Sequence, residues 1–389
     1  DLRGWEWRYF WKQGQPKGAI NVGNHSSRVL TSLFTEIPDS VISFRDYCHI
    51  ELINKNNDKE KIVLSAGNEK SRTTSDSGFL CKNIDGSHFA GLSFLEKSGD
   101  YYIKVWADLN KPPIQNLNVG PDRPTGLALS PNGKNLAFFV PAHGSAQIVG
   151  VDSGKVLHLE RINNGNYEFL DSEGACCFSP NGKRLAIGGK DGRITILETS
   201  DWSHEIKNLP KGGNITTLAF SPDNKTLAAG RIWWDPRIWL IDISGRKPPT
   251  YLSGHQGFIS KLAFSPNGKL LASSSADQNI KLWSTENWSE VATLSGHADE
   301  VWSVDFSSDS QQLVSAGKDQ KIKIWDLKDW TKDSLATSGL QISYDDSAIS
   351  PCGNKLLVLQ NGIPSLHGDL RGSLEGLPAN LSKVYWLSS

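Results

Sequence analysis

The chain has 389 residues, with 41 Lys and Arg set against 42 Asp and Glu for a formal net charge of −1. That balance argues against electrostatic capture of nucleic acid or of an anionic membrane surface. No apolar run approaches the roughly 18 residues of a membrane-spanning helix.

Taken in chain order, the first element is DLRGWEWRYFW, in which Trp5, Trp7, Tyr9, Phe10 and Trp11 crowd eleven residues. So dense a cluster would form a large exposed apolar patch unless it docks. The expectation is a short helical lead-in over 1–17, packed on a body formed by 18–389. Residues 28–124 read as two degenerate strand-rich units, the second marked by YYIKVWADL at 101–109.

From Thr125 onward one pattern recurs, with further copies beginning near Gly174, Ile215, Ile259, Val301 and Ser343. Its punctuation is Ser-Pro-Asn-Gly-Lys or a close variant, with proline at 131, 180, 222, 266 and 351 and Ser308 in the equivalent place of one copy. Proline presets the first turn dihedral and Asn-Gly accepts positive φ, so each copy predicts a strand, a tight turn and a second strand. An Asp-containing turn follows, then an alternating third strand (RITIL, NIKLW, KIKIW) and a variable outer one. Alternation with period two marks strands with two differently occupied faces.

The repetition is clearest between GHQGFISKLAFSPNGKLLASSSADQNIKLW (254–283) and GHADEVWSVDFSSDSQQLVSAGKDQKIKIWD (296–326), which align without a gap. A period in the low forties with this vocabulary predicts four-stranded propeller blades and an all-β fold. The units count to about eight blades, with seven or nine also allowed. LSKVYWLSS (381–389) reads as an extra first strand, either closing the ring or opening a longer array.

This grammar resembles the WD-repeat family, with Trp325-Asp326 preserving the Trp-Asp pair. The resemblance implies a hydrogen-bonded staple in each blade, formed by His255, Ser273, Asp277 and Trp283 in one copy and His297, Ser315, Asp319 and Trp325 in the next. The unit beginning at Gly174 has Leu197 in place of the Trp, and the unit beginning at Ile215 has Gly212-Gly213 in place of Gly-His. Those two blades are expected to rely on packing alone. The lead-in resembles the segment preceding WD-repeat propellers in large bacterial multidomain proteins that carry a serine/threonine kinase. The absence of any Met, including at the first position, adds to the expectation of a piece of a longer protein.

Chemistry-bearing motifs are lacking: no GxxxxGK[ST], HExxH or GxSxG occurs. No cofactor, metal or catalytic residue is expected. The five cysteines, at 48, 81, 176, 177 and 352, have no CxxC spacing and read as free thiols, favouring a reducing, cytoplasmic compartment over an extracytoplasmic one. What remains is surface. In such propellers the loops entering the first strand and joining the second to the third line the face where partners dock. Here those positions include Arg123, Asn214, Phe258, Glu300, Trp302 and Lys318, together with Trp233 and Trp234 in the longer loop RIWWDPR (231–237). The mixture, without a charge block, predicts a protein or peptide partner held by aromatic anchors. The expected function is therefore a non-catalytic interaction platform on a monomeric propeller, a module of a larger bacterial signalling protein. The alternative is a small-ligand receptor or enzyme in the central channel, against which the inner-strand sequences LAF, VDF, CCF and LAL speak.

Overall fold

The structure is a computed structural model. It describes residues 20–24, 28–37, 39–45, 49–54, 56–65, 80–95, 97–162, 175–189, 192–210, 213–231, 235–327, 347–349, 355–360 and 363–368. Two compact units are present: 18–329, and a second comprising 1–17 with 330–389. The aromatic lead-in and 381–389 lie outside the described residues.

Among the described residues, the first unit contains seven four-stranded antiparallel sheets. Blades I to VI run over 29–65, 80–120, 125–161, 175–208, 215–252 and 259–295, each with strands a to d in chain order from the inside out. Blade VII takes its first three strands from Val301–Phe306, Gln312–Gly317 and Lys321–Asp326. Its fourth is the N-terminal strand Ile20–Asn24, which pairs antiparallel with Lys321–Asp326 through Ile20↔Ile324 and Asn21↔Lys323. The ring is an all-β propeller of seven blades, the lower end of the expected range. The repeat near Ser343, the eighth of the count, falls in the second compact unit. Strands Ser347–Ile349, Lys355–Gln360 and Ile363–Gly368 form a separate three-stranded sheet in the second unit.

The a–b turns show why Ser-Pro-Asn-Gly recurs. In blade VI the Ser265 hydroxyl donates to Asn267 Oδ1 (2.8 Å) while Ser265 Oγ accepts the amide of Leu270 (2.9 Å). Asn267 Oδ1 in turn accepts the Lys269 amide (3.0 Å). The same arrangement is built on Ser130, Ser179, Ser221 and Ser307. The fourth turn residue sits at positive φ throughout: Gly133, Gly182, Asn224, Gly268 and Ser310. Trp202 of DWS (201–203) and Trp288 of NWS (287–289) also sit at positive φ, in the c–d turns, and pack against core clusters alongside Phe178 and Phe264 respectively.

Between blades the core is apolar and closely approached. A Cβ on Gly230 would fall 2.8 Å from Cβ of Ile259 in the next blade, and one on Gly188 would fall 2.6 Å from Cβ of Ile215. Polar side chains stitch the inner strands across these interfaces. The Thr216 hydroxyl donates to the Ile259 carbonyl (2.9 Å) and Thr217 Oγ1 accepts the Leu262 amide (3.1 Å). Where blade VII meets blade I, Ser303 Oγ accepts the Ser32 amide (3.2 Å) and Asp305 Oδ2 accepts that of Phe34 (3.0 Å).

Candidate functional site

Blades VI and VII each assemble a four-residue hydrogen-bonded chain beneath one face of the ring. His255 Nδ1 lies 2.7 Å from Asp277 Oδ2 and its Nε2 lies 2.8 Å from Ser273 Oγ, which also accepts the Trp283 indole N–H (2.9 Å). In blade VII, His297 Nδ1 is 2.9 Å from Asp319, Nε2 is 2.8 Å from Ser315 Oγ, and Trp325 Nε1 donates to that hydroxyl at 2.8 Å. One proton arrangement satisfies every group: Trp N–H to Ser, Ser O–H to Nε2, and Nδ1–H to the carboxylate.

That arrangement needs a neutral imidazole. Burial lowers the His297 pKa, and the opposing pull of Asp319 does not restore it. Burial also opposes ionisation of Asp277 and Asp319, but hydrogen bonds from the imidazoles and from backbone amides outweigh it and hold both carboxyls below their ordinary value. The staple thereby joins three segments of each blade. Its His comes from the d–a loop and its Asp from the b–c turn, while Ser and Trp come from the central strands. Asp277 also accepts the Gln256 amide, and Asp319 that of Ala298. The loops of this face rest on that support.

Blade V departs from the expectation of packing alone. Arg231, fully buried at the end of strand b, donates to Asp235 Oδ2 (3.1 Å) and to the Pro210 carbonyl of the incoming loop (2.9 Å). Asp235 Oδ2 also accepts the Trp239 indole N–H (2.9 Å), and its Oδ1 accepts Arg237 Nε (2.6 Å). Both guanidinium groups stack on the Trp239 ring, at 5.1 and 5.0 Å. The cluster joins the loop entering strand a to the b–c segment, as His does in blades VI and VII, but with reversed polarity: a cation on strand b reaches a carbonyl on the loop. The sequence signal was present in Arg231, which stands where blades VI and VII carry Ser275 and Gly317.

The loop positions are spread around this face. Phe258 is half-buried, its carbonyl accepting the Ala276 amide (3.1 Å). Arg123 and Asn214 are half-buried on blades III and V. Glu300 and Lys318 come together at 3.2 Å. Trp302 is not an exposed anchor: it is 1% accessible, donates to Glu300 Oε2 (3.0 Å) and lies under the Arg28 guanidinium at 5.3 Å. Its position as the second residue of an inner strand turns it into the blade I–III core cluster. Trp233 and Trp234 lie outside the described residues; the flanking Arg231 and Asp235 form the buried pair described above. Among the described residues, no group of three His, Cys, Asp or Glu could hold a metal ion.

Repeat, ring and staple together define an all-β WD40 propeller. The WD40 family (WD domain, G-beta repeat) matches 174–196, 204–242, 246–284 and 288–326. The chain is 28% identical over 158 residues to human echinoderm microtubule-associated protein-like 2, covering 38% of this chain and 24% of that protein. To human apoptotic protease-activating factor 1 it is 24% identical over 271 residues, covering 69% of this chain and 19% of that protein. To the Drosophila melanogaster protein LST8 homolog it is 29% identical over 121 residues, covering 30% and 39%. The chain thus spans well under half the length of each, and these matches support its placement among WD-repeat proteins.

Acidification from pH 7 through the ordinary imidazole value of 6.5 should erode stability, because the unfolded state binds a proton that folded His297 refuses. Asp319, held low in the fold, adds a further loss as pH falls through its ordinary value of 3.8 towards its folded pKa. His297→Asn should flatten the first slope, and His297→Ala should cost about 1–3 kcal/mol at neutral pH by urea denaturation. In blade V, Asp235→Asn should be more damaging, about 3–5 kcal/mol, because it leaves Arg231 buried without a counter-charge. Equal, sub-kilocalorie effects for both sites would contradict this assignment.

Proposed function

We propose that this protein is a non-catalytic protein-interaction platform whose partner engages the face carrying the d–a and b–c loops. Propellers of this class generally serve as interaction scaffolds, and the observation that carries the reading here is the Arg231–Asp235 ion pair. It fixes both ends of the three-residue segment that contains Trp233 and Trp234. A buried ion pair between the residues flanking a segment lowers the ordering cost of binding through it, and large aromatics with few rotatable bonds are typical interface anchors. Phe258 is the third aromatic of the set. Glu300 and Lys318, paired with each other at the edge of the face, suit a role in partner choice and on-rate more than in affinity.

A place within a larger bacterial signalling protein rests on the lead-in sequence alone, which resembles the segment preceding propellers in such proteins. Free Cys81, Cys176 and Cys177 favour a reducing compartment. Among the described residues, no helix is long and apolar enough to cross a membrane.

The test is affinity capture from the native host with the wild-type chain and with Trp233→Ala, Trp234→Ala and Phe258→Ala, each checked for native melting. True anchors cost about 2 kcal/mol or more, so recovery at limiting bait should fall at least about tenfold. Glu300→Gln and Lys318→Gln should have smaller effects that fade in salt. Neutral aromatics, combined with loss of binding on substituting exposed Val156, Leu157 and Leu159 of the blade III outer strand, would move the interface to the rim.

A further inference from the structure

The opposite mouth of the channel, ringed by the prolines of the a–b turns, opens into a cavity of about 410 Å³. Its wall is largely apolar, with Leu33, Leu218, Phe220 and Phe264 among the lining residues. Strand a of blade VI breaks that pattern. Its sequence ISKLAF places Lys261 where blade V has Thr217 and blade VII has Ser303, and the lysine lines the cavity.

The charges around Lys261 do not cancel. Asp305 is the carboxylate on the inner strands nearest to it, but Asp305 Oδ2 is engaged by Lys82 Nζ at 2.6 Å and by the Phe34 amide at 3.0 Å. The other groups facing Lys261 are the thiols of Cys81 and Cys177, which burial pushes up to about 12, so both are neutral at physiological pH. The Lys261 ammonium makes no hydrogen bond or ion pair among the described residues. Burial lowers its pKa, the mark of a cation short of solvent and partners. On the inner strands, Lys82 and Lys261 are set against the single carboxylate of Asp305 and leave one positive charge in excess there, while the carboxylates of Glu36 and Asp85 lie exposed at the mouth.

We propose that this chamber is a ligand site for a single carboxylate carried on a small apolar body, with Lys261 as the residue that pairs with the carboxylate. One excess cation matches one anionic charge, and the leucines and phenylalanines match an apolar remainder. Glu36 and Asp85, also lining the mouth, disfavour polyanions such as polyphosphates. The site is independent of the loop face proposed for the protein partner. The carboxylate can come from a free acid or from the C-terminus of an apolar peptide.

The experiment is calorimetric titration of the full chain with octanoate, with 1-octanol, and with N-acetyl-Leu-Phe as free acid and as amide. Saturable binding of octanoate or of the peptide acid is expected, at least about tenfold tighter than its neutral counterpart. The stronger of the two acids identifies the source. Lys261→Thr, which installs the residue found in blade V, should lose at least about tenfold in affinity. If that variant does not fold, the chain is reductively methylated with a carbon-13 label, and octanoate must shift the dimethyl-Lys261 resonance. The proposal is overturned if neither acid binds, if octanol binds as well as octanoate, or if folded Lys261→Thr binds undiminished; an unmoved Lys261 resonance overturns it as well.

Discussion

The pairing of Ile20–Asn24 with Lys321–Asp326 is the constraint on which the propeller rests. Seven sheets can close into a ring only if the last packs on the first. That contact is made by inner strands whose amides are answered by Ser303 and Asp305. Without its N-terminal strand, blade VII would present an unpaired edge. It would also uncover the cluster in which Val22 of that strand, 1% accessible, packs with Val29, Val41 and Ile53 of blade I and Ile322 and Ile324 of blade VII. Burying one valine contributes about 1.5–3 kcal/mol, yet the larger consequence is topological, because segments some 300 residues apart in sequence are held in one sheet. Lys323 Nζ, 3.0 Å from Asn21 Oδ1, adds a polar contact across the same seam.

Closure gives the inner strands a fixed geometry, and each blade then secures its loops by local means. Blades VI and VII use an imidazole between a hydroxyl and a carboxylate. Blade V uses a guanidinium between a carboxylate and a carbonyl, covered by an indole. Both devices join the loop before strand a to the connection after strand b, so different chemistry meets the same mechanical need. The distinction matters for function because the blade V device flanks the segment that holds Trp233 and Trp234. At the other mouth, Asp305 has a second task. By pairing with Lys82 it ties blades VII, I and II together, and it is thereby withdrawn from Lys261.

Much of this was legible in the residues. The Ser-Pro-Asn-Gly turns announced the blades because their hydrogen bonds are local, made within five residues and dependent only on residue type. The two complete staples were legible for the same reason: His, Ser, Asp and Trp recur at fixed offsets. Closure was not, because INVGN at 20–24 is too short and too ordinary to announce a partner three hundred residues away. The repeat near Ser343 reads as another blade by its punctuation, but punctuation cannot report to which compact unit its strands belong. Trp302 looked like an anchor because strand position alone does not reveal which side of an inner strand a neighbour covers. Arg231 and Lys261 were passed over because single charged residues inside apolar strands acquire meaning only from what surrounds them.

Hydrogen exchange across Lys321–Asp326 tests the closure most directly. In the intact chain, the amides of this strand bonded to Ile20–Asn24 should exchange as slowly as those of the central strands of blade IV. Replacing 20–24 by Gly-Ser-Gly-Ser-Gly should strip that protection and lower it along Val29–Phe34 and Val301–Phe306, where blades I and VII meet. Unchanged exchange in all three segments after the replacement would contradict a ring closed by its N-terminal strand.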